Sequence, residues 1–402
     1  MGLISRIMNP QASASANSLE SLLREFRTGF VSKTGKAVNV ETALQVVTVF
    51  ACLRVIAEGV AQVPLKVFRE RAGGGKDSAK EHPLYDVLHR RPNPWQTSFE
   101  FRESMVFHAA LAGDFYAFKS MVGGRIRELI PLEPGSVTVR RLSDTSLVYD
   151  VTASGETRTF PAETIWHLKG PSWNTWKGMA AVNYAREAIG LSIATEEAHA
   201  HLHKNGAQAS GVYSVEGTLN PDQYKALSAW IEERISGDNR SKPLVLDRAA
   251  KWTQMSMSGV DSQHLETRKH QVEEVCRGFR VMPIMIGQAD KAATYASAEQ
   301  MFLAHVVHTL SPWYERIEQS ADVNLLTAQE RRQGHYVKFL PNGLMRGAAK
   351  DRADFYSKMW QMGAYSPNDI LRLEDENPYE GGNKRYVPTN FASTDQELTN
   401  EE

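Results

Sequence analysis

Val281-Met282-Pro283-Ile284-Met285-Ile286-Gly287 is a short apolar hinge between two long helical patterns, and the segment from Asp261 to Thr327 around it decides the fold. Upstream, Leu265, Val272, Val275 and Phe279 recur at helical spacing but form only a narrow apolar stripe. Glu266, Arg268, Lys269, Glu273, Glu274 and Arg277 occupy the rest of the helix surface. So thin a seam does not suit the centre of a globular core; it predicts packing against copies of the chain, or the lining of a wet passage. Downstream, Ser297 and Gln300 have the spacing of a capping box, in which side chains satisfy the orphan amides of a first turn. From there Met301, Phe302, His305, Val306, Leu310, Trp313, Ile317 and Leu325 carry a helical pattern for roughly 43 Å at about 1.5 Å per residue. Pro312 lies inside it and predicts a kink or break one turn earlier, where a carbonyl loses its partner.

The rest of the chain reads as α+β, mainly α. Residues 1–40 are rich in Ser, Ala, Asn and Gly and predict a loosely ordered arm. Helices are expected at Thr42–Ala61, Phe99–Ala112 and Gly178–Lys204, the last stopped by Asn205-Gly206. Asn220-Pro221 opens another helix whose stripe is Tyr224, Leu227, Ile231 and Ile235. Alternating runs between Phe115 and Leu168, punctuated by Pro134-Gly135 and Ser154-Gly155, predict a small antiparallel β unit. Short β-like runs at Pro243–Leu246 and Trp252–Met257 precede the charged helix from Asp261. A strand-like run from Tyr336 leads to a helix at about Arg346–Met362 and then an acidic tail beyond Phe391.

Bulk properties remove some function classes. A chain of 402 residues exceeds one ordinary core and predicts two or three regions. Its two cysteines, Cys52 and Cys276, are far apart in apolar helical patterns, which suits a reducing compartment. Residues 43–63 are apolar but contain Arg54 and Glu58, whose cost in a bilayer favours a buried helix and no membrane contact. The apolar start at Gly2–Met8 is too short for a cleavable signal. A formal net charge of −1 argues against tight or sequence-specific DNA binding.

Catalytic patterns fail when read closely. Gly73-Gly74-Gly75-Lys76-Asp77 has Asp where a phosphate loop needs Ser or Thr for magnesium, and Glu70 where it needs its first glycine. Gly170-Pro171-Ser172-Trp173-Asn174 lacks the last glycine of a nucleophile elbow. Glu374-Asp375-Glu376 reads as a solvated acidic run. His199 and His203 share one helix face, but no third ligand follows at metal-site spacing; cationic histidines near a helix C-terminus are the simpler account. No cofactor, no metal and no catalytic constellation is expected.

Glu274-Val275-Cys276-Arg277-Gly278-Phe279-Arg280-Val281-Met282-Pro283 followed by Tyr295-Ala296-Ser297-Ala298-Glu299-Gln300 resembles the core of bacteriophage portal proteins of the compact siphovirus type. It departs from that pattern at Arg280, where Gly is usual, and at Met282, where Pro is usual. Gln62-Val63-Pro64-Leu65, His82-Pro83-Leu84-Tyr85, Arg91-Pro92-Asn93-Pro94-Trp95, Gly363–Ile370 and Asn377–Gly382 resemble further family motifs in the same order. The resemblance implies a ring of about twelve subunits with wing, stem, clip and crown regions, built from a homo-oligomer as symmetric assemblies are. It implies this division: arm 1–40, wing 41–219, stem 220–281 with a clip hairpin at about 238–258, channel loop 282–297, long kinked helix 298–330, crown 331–391 and acidic tail 392–402.

By the same resemblance the ring sits at one vertex of the virion capsid, is assembled in the host cytoplasm and is not an enzyme. It passes double-stranded DNA, held non-specifically, and meets the large terminase, the major capsid protein and a head-tail adaptor. Lys291, Arg277 and Arg280 become candidate channel-facing contacts to DNA, and Met282, Pro283, Ile284, Met285 and Gly287 the base of the channel loop. Near-neutral charge fits a conduit that lets DNA slide. Two other readings stay open: a soluble metal-dependent hydrolase built on His199 and His203, and a different ring-forming head-completion protein.

Overall fold

A computed structural model describes residues 30–71, 75–205, 211–214, 220–235, 251–254, 260–288, 295–341, 349–374 and 376–386. In chain order, β1 (Phe30–Val31) and β2 (Ala37–Val38) precede helices α1 (Val40–Gln45) and α2 (Val47–Ala61). Then come β3 (Leu65–Glu70), β4 (Lys76–Ser78), α3 (Pro83–His89) and α4 (Ser98–Ala112). Strands β5 (Asp114–Val122), β6 (Arg125–Leu132), β7 (Val137–Arg141), β8 (Leu147–Ala153), β9 (Glu156–Pro161) and β10 (Ile165–Lys169) make the expected β unit. They are followed by α5 (Ala181–Tyr184), α6 (Arg186–Asn205), β11 (Gly211–Ser214), α7 (Pro221–Ile235), β12 (Lys251–Gln254) and α8 (Val260–Phe279). The last elements are α9 (Tyr295–His305), α10 (Ser311–Leu325), α11 (Ala328–Arg332), β13 (His335–Phe339), α12 (Ala349–Gln361) and α13 (Pro367–Leu373).

The chain divides into two compact units, one of residues 1–27, 50–181 and 279–402, the other of residues 28–49 and 182–278. In the first, three antiparallel sheets run in the orders β13-β3-β4, β10-β5-β6 and β7-β8-β9. Helix α4 starts where Thr97 and Glu100 cap one another's backbone amides. It buries Phe101 against Phe115 and Trp166, edge to face and stacked. Each such buried ring is worth about 1.5–3 kcal/mol of transfer free energy. Arg102 lies in this apolar setting, its guanidinium donating to the carbonyls of Ala61 and Leu88 and to Ser98 Oγ. It thereby satisfies a C-terminal carbonyl that α2 leaves without a helical partner, and burial pulls its pKa down only to about 10.

In the second unit, the hairpin β1–β2 is fastened to α6 by Lys33 N to Glu187 Oε2 (3.0 Å) and Thr34 Oγ1 to Gly190 O (3.2 Å). Gly190 is required there, since a Cβ would stand 2.3 Å from Ser32 Oγ. Gln271 Nε2 of α8 donates to Thr195 Oγ1 of α6 at 2.9 Å. Cys52 and Cys276 are buried thiols. Among the described residues no helix is long and apolar enough to cross a membrane.

Several expectations differ from this. The loose arm expected over 1–40 gives way from Phe30 to the bonded hairpin; residues 1–29 lie outside the described residues. The helix expected from Gly178 starts at Ala181 and is interrupted at Ala185, because Gly178 N and Met179 N donate sideways to Asp114 Oδ1 and Pro171 O, each at 2.7 Å. Strand β12 pairs with β11, Trp252 opposite Tyr213; Pro243–Leu246, its expected partner, lies outside the described residues. Helix α9 begins at Tyr295, so Ser297 is inside its first turn and not its cap. The strand expected from Tyr336 is present as β13 and extends the sheet of β3, Val337 opposite Val67.

Candidate functional site: the hinge and the kinked helix

The charged helix α8 ends at Phe279, and the next residue, Arg280, adopts φ +57°. That left-handed conformation terminates helices and is reached at lowest cost by glycine. Phe279 and Val281 on either side are buried, and Arg280 itself is exposed. Met282 is extended and Pro283–Ile286 make one 3-10 turn with the proline at its start. Gly287, at φ +85°, closes the turn, its N–H and that of Gln288 donating back to Ile284 O and Pro283 O.

What holds this hinge is the kink in the long helix. Between α9 and α10 the backbone widens into a π-helical turn, Val306–Leu310, directly before Pro312. The proline supplies no N–H and the wider turn absorbs the mismatch. Ser311 Oγ donates to Val306 O at 3.0 Å. Thr309, buried in the widened turn, donates its hydroxyl to Arg280 O at 2.7 Å. The kink expected from Pro312 is therefore the fastening point of the hinge.

The kinked helix is in turn seated on its own unit. Gly59 of α2 lets Leu310 approach so closely that a Cβ would stand 2.8 Å from its methyl carbon. Tyr314 Oη donates to Gly59 O at 2.8 Å, and burial raises its pKa. Further along α10, Glu318 and Asp322 accept the backbone N–H groups of Phe339 and Val337, at 2.8 and 2.7 Å. Burial drives the Glu318 carboxyl up to about 7 and raises that of Asp322 as well.

A carboxyl raised on folding binds its proton more tightly in the native state, so native stability rises as pH falls from about 7 toward the unfolded value of 4.5. Glu318→Gln keeps an acceptor for Phe339 N and removes the charge. We expect it to stabilise the protein by about 1–3 kcal/mol at pH 8.5 and to be neutral at pH 5. Urea unfolding of both proteins at the two pH values checks this, and a difference independent of pH would refute it. The comparison between variants is needed because His108, held down at about 4 by burial, acts in the opposite direction over the same range.

Of the candidate residues, Met282, Pro283, Ile284, Met285 and Gly287 are brought together in one turn, half-buried except for the exposed Gly287. Arg280 stands at its entrance. Arg277 is engaged on its own helix, bonded to Glu274 and 3.6 Å from Glu273. Lys291 lies outside the described residues. His305, part of the helical pattern, is buried, and its Nδ1 has no partner among the described residues.

Sequence reasoning did not anticipate a buried network in the β unit. His167 Nε2 meets Asp114 Oδ1 at 2.8 Å, Tyr149 Oη meets His167 Nδ1 at 3.1 Å, and Tyr116 covers the imidazole at 4.6 Å between ring centres. Burial lowers the His167 pKa against the opposing pull of Asp114, and raises the Tyr149 phenol to about 12. The residues come from β5, β8 and β10, far apart in sequence. All are more than nine-tenths buried, so the trio ties strands together and offers no face to a substrate.

The family model for phage portal proteins matches residues 47–375. The chain is 30% identical over 387 residues to a probable portal protein of Streptomyces phage phiC31, covering 92% of this chain and 84% of that one. It is 28% identical over 387 residues to the portal protein of Enterobacteria phage HK97, covering 93% and 91%. The fold matches a chain in the neck of a native gene transfer agent particle computed with C12 symmetry, at a TM-score of 0.60, 24% identity and coverage of 92% and 96%. The chain belongs to the phage portal protein family. The metal-hydrolase alternative finds no support in these comparisons, and the His203 side chain lies outside the described residues.

Proposed function

We propose that this chain forms a ring of about twelve copies at one capsid vertex of a virion, and that double-stranded DNA is packaged and ejected through it. The observation that carries the proposal is the fastening of the hinge: Thr309 in the π turn holds Arg280 O, and so fixes the base from which the segment after Gln288 departs. A channel that lets DNA slide must not hold it tightly, and a formal net charge of −1 fits that. The thin seam of α8 and the exposed face of α7, where Tyr224 is 65% accessible, suit helices that complete their burial against neighbouring copies.

Lys291 and Arg280 contact phosphate transiently, while Arg277, already paired, contributes less. The role is mechanical and not catalytic. The large terminase, the major capsid protein and a head-tail adaptor dock on the ring, which assembles in the host cytoplasm.

Negative-stain microscopy of the purified chain tests this directly: annular particles with a central hole are expected, and compact single-subunit particles would overturn it. Arg280→Gly separates fold from charge. Glycine relieves the left-handed backbone, so about 0.5–1 kcal/mol of added stability is expected, with rings intact and the yield of DNA-filled heads reduced. Unchanged DNA-filled heads would remove Arg280 from the set of DNA contacts.

A further inference from the structure

Two features of the first unit are left unused by the channel reading. One is a knob. Trp173 is 89% accessible, yet the loop that carries it is closely bonded. Asn174 Oδ1 accepts from the N–H groups of Trp176 and Lys177 at 3.3 and 2.9 Å, and Ser172 Oγ donates to Lys177 O. Lys169 Nζ donates to Thr175 O at 2.7 Å, and Thr175 itself is held at φ +70°. Trp176 turns inward onto the core of Tyr116, Val137 and Val139. The loop is thus ordered around an indole that faces water.

The other feature is a hole. Helices α12 and α13 with the turn after them enclose an open groove of about 380 Å³ whose apolar walls are Tyr356, Trp360, Pro367, Ile370, Leu371 and Tyr379. Its walls are fixed: Tyr356 Oη donates to Glu374 Oε1 at 2.7 Å, and Asn368 Nδ2 donates to Tyr379 O at 3.0 Å. Trp360 and Tyr379 nevertheless remain 41% and 56% accessible.

We propose that Trp173 of one subunit inserts into this groove of the next subunit around the ring, an inference that rests on the ring reading above. A closed ring is built from heterologous contacts, so each copy must present two different, complementary surfaces. An indole buries roughly 150–250 Å² and fits an apolar slot of this size. A pre-ordered tryptophan loses little entropy on docking, which is what makes such residues interface anchors. The groove is apolar where the knob is apolar.

The test uses the full chain with the photo-reactive p-benzoylphenylalanine in place of Trp173. Irradiated rings are expected to give a ladder of covalently joined subunits, with adducts mapped by mass spectrometry to residues 356–379. Trp173→Ala and Ile370→Glu are each expected to raise the concentration for half-assembly by at least about thirtyfold, while Trp173→Phe restores most of it. Because Trp173 is exposed, the melting of the dissociated Trp173→Ala subunit should match wild type, which separates an assembly defect from a folding defect. Rings of the photo-reactive chain whose adducts fall outside the groove, or on residues 387–402, overturn this inference and leave the ring reading standing. So does normal assembly of Trp173→Ala. A wild-type chain that forms no ring overturns both.

Discussion

Gly178→Ala is expected to yield no stably folded protein. A Cβ at this position would stand 1.8 Å from Gly113 O and 2.6 Å from Gly113 C, with Asp114 Oδ1 at 2.8 Å. Both chains meet through backbone, so no rotamer change relieves the overlap. Moving the segment away breaks the bonds from Gly178 N to Asp114 Oδ1 and from Met179 N to Pro171 O. It also disturbs Gly113 itself, which sits at φ +90° with Met179 and Ala180 backbone 2.7 Å from where its own Cβ would be. A loss of at least about 4 kcal/mol follows, most of the roughly 5 kcal/mol that holds a marginally stable fold together. Soluble yield and near-UV circular dichroism report it; a variant that melts with wild type would show that the crossing is looser than described.

Asp114→Ala should be nearly as severe. Its carboxylate accepts from Gly178 N at 2.7 Å and meets His167 Nε2 at 2.8 Å, in a site where side chains of the pair are 3% and 4% accessible. Alanine leaves buried donors without acceptors, at an expected cost of about 3–5 kcal/mol. Both donors meet the same oxygen, Oδ1, which Asp114→Asn keeps while losing the charge, so a smaller loss of about 1–3 kcal/mol is expected. Equilibrium urea unfolding ranks the three proteins. Equal stability of wild type and Asp114→Ala would mean that the network contributes nothing. The His167 pKa is lowered on folding, so its contribution is present above the unfolded histidine value and is lost as pH falls below it. Asp114 holds the His167 pKa up against burial, so without it the imidazole resists protonation still more, and acidification below about 6.5 should widen the gap between wild type and Asp114→Ala.

The helical rods, the kink ahead of Pro312, the β unit and the family motifs were legible because each depends on near neighbours in sequence. Proline at the start of α7 is local chemistry of this kind, whereas the capping box read at Ser297 and Gln300 is not where α9 begins. The start of α6 was misplaced because the donors at Gly178 and Met179 are claimed by residues far away in sequence. The partner of β12 was missed for the same reason: a four-residue strand has no preference for a neighbour until the fold supplies one. Likewise Arg280 was visible as a departure from glycine, but its left-handed backbone was not.

By itself the chain of amino acids determined the element types, the family and the absence of a recognisable catalytic pattern, because periodicity, caps and short motifs are one-dimensional properties. Only the tertiary structure decided that the hydroxyl of Thr309 fastens the hinge, that Asp114, His167 and Tyr149 form one buried network, and that Trp173 is presented to solvent while Trp176 is not. Those facts depend on where distant backbones cross, which close packing and the demand that buried polar groups find partners settle together.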